Sequence, residues 1–394
     1  MRTARWVRGI IVAVAAIAVA AISGCAGFWD PLPNSGGGGT NPVSGTFYVL
    51  NQKTNQLAGF AFAAGASSPT AVTNSPYSLP SQPLAMAIAP SGSYLYVSTL
   101  SGILYYTINA DGSLTAGDSG QILSSDTAFA MQVDPSGSWL IESVSGSGVL
   151  AALPLDSSTG ALNGTAQTVN LPATTLKEIA VTPSGAATPY VFVAMGTGGT
   201  AVVAFNSGNA NPFGVVSKIG VKNSLGADNA VAVDPGSRLL YVGETVAVSG
   251  TQSGGLRVFT IGSSAISEIS GSPYATGGTG PSAILPTTGI VYVANSAVSG
   301  SSSGNISGFS IVTSTSGTSY SLTAINTISA GSLTSAIAED NTNAYILAVN
   351  FGGSPDLSTF TFDSTTQGQL DAGPTSSTGT DPTGTIAIIA APAL

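Results

Sequence analysis

From Gly45 onward the chain returns to one pattern of apolar and polar positions. A short apolar strand leads into a Pro/Ser/Gly turn, and a strand rich in Tyr and Val follows. Clear copies are MAIAPSGSYLYVST (86–99), MQVDPSGSWLIESV (131–144), IAVTPSGAATPYVFVAM (179–195) and VAVDPGSRLLYVGE (231–244). Weaker ones are SAILPTTGIVYVAN (282–295) and SAIAEDNTNAYILAVN (335–350). Apolar anchors two residues before the turn proline, or its equivalent, are Ile88, Val133, Val181, Val233, Ile284, Ile337 and Ile388. They are 45, 48, 52, 51, 53 and 51 residues apart. A period near 50 residues with four strands per unit predicts propeller blades.

The remainder of each unit agrees. A Gly- or Ser-rich loop precedes a third strand: GILYYTIN (102–109), GVLAALPL (148–155), GLRVFTI (255–261), NISGFSI (305–311) and LSTFTF (357–362). Turns such as Asp111-Gly112 lead to a more polar outer strand. Six first strands are followed by complete units. The seventh, TIAIIAAP (385–392), ends the chain, and TFYVLN (46–51) is a second strand with no first strand before it. The two orphans make one blade. The sequence thus predicts an all-β, seven-bladed β-propeller of four-stranded blades over 45–394. The C-terminal strand pairs with the three N-terminal strands and closes the ring, which removes exposed sheet edges. Small residues in the first strands, among them Ala85, Ala87, Ala130, Ala180, Ala232, Ala283, Ala336 and Ala387, suit a crowded ring around a channel.

The first 44 residues follow other rules. Arg2, Arg5 and Arg8 precede an apolar stretch from Gly9 to Ile22, too short to span a bilayer and suited to the apolar core of a secretory signal. Ile22-Ser23-Gly24-Cys25 resembles the bacterial lipobox, which implies a signal peptide over 1–24 and a lipidated Cys25. Cys25 is the one cysteine of the chain. Ala26, with no Asp beside the cysteine, implies sorting to the outer membrane, facing the periplasm or the cell surface. Residues 25–44 complete the anchor as a Pro- and Gly-rich tether in which Phe28 and Trp29 can meet either lipid or the folded domain.

Charge and composition narrow the function. Removing the three N-terminal arginines from the nine basic residues leaves six against 18 acidic ones, a net charge of −12. Such a chain has no basic patch for phosphates, so nucleic-acid binding is not expected. Histidine is absent, which excludes Ser-His-Asp, Cys-His and His-ligated zinc chemistry. Asp340-Asn341-Thr342-Asn343 is rich in oxygen but lacks the glycine and distal Glu of a calcium loop, and neither metal nor cofactor is expected.

The PSGSYLYV turn-and-strand motif, the blade period and the strand-swap closure look like the lactonase family of seven-bladed propellers, which includes 6-phosphogluconolactonase-like proteins. YVAN (292–295) also resembles the YVTN-type repeats of bacterial surface proteins. The likeness covers 45–394 and implies lactone hydrolysis. In such blades a His often stands three residues before the anchor. Here those positions are Ala85, Ala130, Glu178, Ala230, Pro281, Thr334 and Thr385. The family's arginines near the mouth have no counterpart either, because Arg238 falls in a hairpin turn and Arg257 in a third strand.

First strands begin on the face where second strands end, so residues at both places are expected to ring one mouth. Glu178 and Glu244 are the candidate catalytic pair, one carboxylate activating water and the other protonating the leaving oxygen. Lys177, Asn51, Asn295 and Asn350 are the candidate binding residues of that mouth. The alternative is structural, with Glu178 paired to Lys177 or solvent and Glu244 capping a loop. Glu142, in mid-strand, calls for a buried hydrogen bond or neutralisation. Asp134 and Asp234 accept backbone N–H groups in their turns. Two functions stay open: a monomeric, membrane-anchored binding or scaffold protein, and a lactonase with a diverged carboxylate site. The ligand is either a small neutral sugar or lactone, or a protein.

Overall fold

The computed structural model describes residues 45–394 except 64, 65, 67, 249–252, 264, 316, 318, 354, 377, 379–382, 393 and 394. The expected signal peptide, Cys25 and the tether lie outside the described residues. Among the described residues no helix is long and apolar enough to cross a membrane.

Among the described residues the strands form seven antiparallel units four strands deep, the outermost layer split into two short pieces in the first and fifth, numbered here as blades 1–7 in chain order. Blade 2 shows the plan. Its inner strand Pro83–Ile88 pairs with Tyr94–Thr99, then Gly102–Ile108, then the outer Leu114–Ala116. The inner strands of blades 3 to 6 are Ala128–Val133, Glu178–Val181, Asp228–Val233 and Pro281–Pro286. One long strand, Tyr320–Glu339, is the outer strand of blade 6 and then the inner strand of blade 7, so these two blades share a seven-stranded sheet. Blade 1 is built from both chain ends. Thr385–Ala390 is its inner strand and pairs antiparallel with Phe47–Asn51, with Ile388 opposite Val49. This is the closure that the orphan strands predict.

Seven apolar clusters hold the ring together, one at each seam between neighbouring blades. Alternation along each strand explains how. In Phe47–Asn51, Tyr48 and Leu50 pack toward blade 2, whereas Phe47 and Val49 pack toward blade 7. Both faces of the sheet are covered, so the second strands read as continuous apolar runs rather than as apolar-polar alternation. Each fully buried side chain of this size contributes roughly 1.5–3 kcal/mol.

Tyrosines add polar ties across the seams. The hydroxyls of Tyr48, Tyr96 and Tyr292 donate to the carbonyls of Gly112, Gly160 and Gly368 in the next blade, at 2.8, 3.0 and 2.8 Å. The three glycines share a left-handed backbone, with φ of +76°, +74° and +78°. That conformation presents the carbonyl to the neighbouring blade and is strained for any other residue type.

Candidate functional site: the axial channel

Seven main-chain hydrogen bonds fix the level of the inner strands. The N–H groups of Ala89, Asp134, Thr182, Asp234, Thr287, Asp340 and Ala391 donate to the carbonyls of Tyr94, Trp139, Tyr190, Leu239, Ile290, Tyr345 and Thr46. Four residues upstream of each donor stand Ala85, Ala130, Glu178, Ala230, Ala283, Ala336 and Ala387. Glu178 is thus the one carboxyl in a ring of alanines. This corrects the sequence register in blades 6, 7 and 1. Pro281, Thr334 and Thr385 sit one level further out, opposite Asn295, Asn350 and Asn51. The anchors there fall two residues early because the turn of blade 6 is short and that of blade 7 has no proline.

Inner strands from all seven blades enclose an axial cavity of about 270 Å³, with Ile389, Ala87, Gln132, Glu178, Ala232, Leu285 and Ile337 each representing one blade. Its wall is mostly aliphatic. Glu178 is half-buried, and its Oε2 accepts the main-chain N–H of Val231 in blade 5 at 2.9 Å. Gln132 repeats this one blade earlier, where its Oε1 accepts the N–H of Val181 at 2.9 Å. Burial pushes the Glu178 carboxyl up to about 8, against a smaller opposite effect of the Val231 N–H. Glu339 lines the same cavity from blade 7 and is pushed up to about 7, by burial first and by the adjacent Asp340 second.

Glu178 and Glu339 come from opposite sides of the ring. Counted from the shared register they lie three residues apart in level, roughly 10 Å of strand rise. At neutral pH Glu178 is chiefly protonated and can donate a proton, whereas Glu339 is near its midpoint. No Lys or Arg is among the residues that line the cavity.

The other expected mouth residues stand elsewhere. Glu244 is fully buried. Its carboxylate accepts the N–H groups of Lys222 and Asn223 at 2.8 and 3.0 Å and an Arg257 N–H at 3.0 Å. It therefore closes a loop and an ion pair instead of facing Glu178. Asn51, Asn295 and Asn350 are also fully buried. Asn51 accepts the N–H groups of Lys53 and Thr54. Asn295 binds both the hydroxyl and the carbonyl of Thr276. Asn350 joins Gly331, Thr334 and Pro355. The end of a second strand is thus a loop-locking position, because the loops that pass it, before or after it in the chain, must satisfy their polar groups there. Lys177 is exposed, and its N–H donates to the Ala194 carbonyl.

Three polar groups escaped the sequence reading. Gln132 and Glu339 take places that Ala or an aliphatic residue holds in other blades, a signal visible only in correct register. Asp228 stands opposite Glu244 and accepts the Thr200 hydroxyl at 2.6 Å. Burial raises it to about 7, with the Thr200 bond opposing and Glu244 adding to the rise. Glu142 is fully buried, and neither carboxyl oxygen has a hydrogen-bond partner among the described residues. Burial, with Asp126 nearby, pushes it up to about 8, so it is neutralised rather than paired. Asp134 and Asp234 accept turn N–H groups, including those of Trp139 and Leu239 at 2.7 and 2.6 Å.

No protein-family model and no curated protein sequence matches the chain. Solved structures do. A candidate 6-phosphogluconolactonase from Bacteroides uniformis aligns over 87% of this chain and 98% of its own, with a TM-score of 0.67 at 12% identity. A second candidate 6-phosphogluconolactonase, from Bacteroides fragilis, aligns over 87% and 97%, with a TM-score of 0.65 at 13% identity. The fold is that of the lactonase-like β-propellers. The periplasmic gluconolactonase of Pseudomonas aeruginosa shares this lactonase-like propeller over 88% of this chain and 99% of its own, with a TM-score of 0.62 at 15% identity. Identities this low concern the fold alone.

Proposed function

We propose that this lactonase-like propeller is a lipid-anchored binding protein of the cell envelope whose axial channel holds a small molecule. The observation that carries the reading is the cavity itself. All seven blades supply its wall, which is aliphatic apart from a few polar groups at fixed places, as small-molecule sites are. The anchor rests on the lipobox at Cys25. The described chain starts at Gly45, whose N–H donates to Asn341 at the turn-side end of the channel.

The second reading is a lactone hydrolase. It is favoured by the protonated carboxyl of Glu178, able to supply a proton to a leaving oxygen, and by the structural likeness to a gluconolactonase. The missing imidazole and the lack of a lining cation weigh against it.

Thermal shift of the full chain against uncharged lactones, alcohols and amines tests the channel as the site. Ala232→Trp, which fills the channel, serves as the control. A ligand that raises the melting point of the wild type but not of Ala232→Trp is expected. Equal shifts in both proteins place binding elsewhere and overturn the reading.

A further inference from the structure

We infer that the axial channel takes a small organic cation, an aliphatic ammonium whose nitrogen sits at Glu178. This names the ligand class of the binding role proposed above and rests on it.

The wall argues first. Ala180, Ala232, Leu285, Ile337 and Ile389 line the cavity with hydrocarbon. Polar partners are confined to Gln132, Glu178 and the turn from Glu339 to Asn343, so a sugar hydroxyl set against the aliphatic part of the wall would lose water without gaining a partner. An alkyl chain loses nothing there and gains burial.

The carboxyls argue second. Among the described residues Glu178 has one hydrogen-bond partner, the Val231 N–H on Oε2, and no ion pair. Among the described residues the Glu339 side chain has no hydrogen-bond or ion-pair partner, and its charged neighbour is Asp340, of like sign. Four salt bridges are found among the described residues, and none involves either glutamate. Acidic groups in apolar surroundings without a counter-ion are the complement of an ammonium. An anion finds no lining cation to pair with, and the net charge of −12 beyond the N-terminal arginines repels it at longer range.

Burial keeps Glu178 protonated at neutral pH. An ammonium favours the ionised form, so its arrival breaks the carboxyl O–H bond and sends that proton to the buffer, while the ligand keeps its own protons. From a carboxyl near 8, binding at pH 7 releases roughly 0.9 proton per ligand.

The test is titration calorimetry of the full chain in neutral detergent at pH 7. The probes are n-hexylammonium, n-hexanol and n-hexanoate, each in two buffers of different ionisation heat. Hexylammonium is expected to bind at least tenfold tighter than hexanol, with hexanoate weakest and close to one proton released. Glu178→Gln, which keeps an acceptor for the Val231 N–H, is expected to equalise hexylammonium and hexanol and to abolish the release. The buffer comparison on the wild type needs no variant, so a misfolded Glu178→Gln leaves the test intact. Hexanol binding as tightly as hexylammonium, or no proton release, overturns the cation inference and leaves the binding role standing. Absence of binding by all three overturns the cation inference, and the thermal-shift comparison with Ala232→Trp then decides the binding role.

Discussion

The carboxylate of Glu178 accepts the main-chain N–H of Val231 at 2.9 Å, across the seam between blades 4 and 5. The bond fixes the side chain beside the channel, and burial holds its carboxyl near 8. Glu142 is held near 8 as well, and Asp228 and Glu339 near 7. Each keeps its proton in the folded chain at pH values where the unfolded chain has released it. From about pH 4 to 8 the folded state therefore binds more protons, and stability falls as pH rises. The carboxyls shifted downward, Asp111, Asp156, Asp363 and Glu268, act only below that window. The melting temperature is expected to fall from pH 5 upward and to be several degrees lower at pH 8.5 than at pH 5. Glu142→Gln should flatten the slope and stabilise the chain at pH 8.5 by on the order of a few kcal/mol. A calorimetric melting point that rises from pH 5 to 8 contradicts this.

The seam tyrosines divide into two kinds. Tyr48 and Tyr292 donate across their seams, whereas the buried hydroxyl of Tyr241 has no partner among the described residues. Tyr48→Phe and Tyr292→Phe each leave a glycine carbonyl unpaired and should cost about 1–2 kcal/mol. Tyr241→Phe removes an unsatisfied group and should be neutral or stabilising. Denaturant unfolding of the three variants checks the order, and a Tyr241→Phe cost equal to that of Tyr48→Phe counts against it.

The architecture was legible because it is written in repetition. Turn prolines, Tyr/Val strands and two orphan strands determine blades and closure without side-chain detail. The site was legible only in part. Glu178 stands out because six alanines share its level, but a two-residue error in the anchors of blades 6, 7 and 1 hid that ring and concealed Glu339. Strand-end residues look alike in sequence whether they face solvent or a loop. Asn51, Asn350 and Glu244 turned inward because neighbouring loops, 220–223 among them, carry N–H groups that need acceptors, and Asn295 because Thr276 offers it a hydroxyl and a carbonyl. Loop paths are what a repeat pattern does not encode.

Closure by the chain ends makes a test of the blade count. Deleting 383–394 removes Thr385–Ala390, exposes Phe47–Asn51 as an edge, and opens the seams on both sides of blade 1. Aggregation or loss of the cooperative melt is expected. A truncated protein as soluble and as heat-stable as the parent excludes a closed ring.

The anchor is checked by labelling. Cells expressing the full chain with labelled palmitate should yield an acylated mature protein, and Cys25→Ala an uncleaved precursor without label. Label retained in Cys25→Ala places the lipid elsewhere or removes it from the account.

The central claim is that the channel binds and does not hydrolyse. The direct measurement is acid release by the full chain from a panel of uncharged and phosphorylated sugar lactones, at pH 6 to 8 under pH-stat control. The expected result is a rate equal to that of buffer for every lactone. Turnover of any lactone above that rate, lost in Glu178→Gln, contradicts the binding reading and makes the channel an active site.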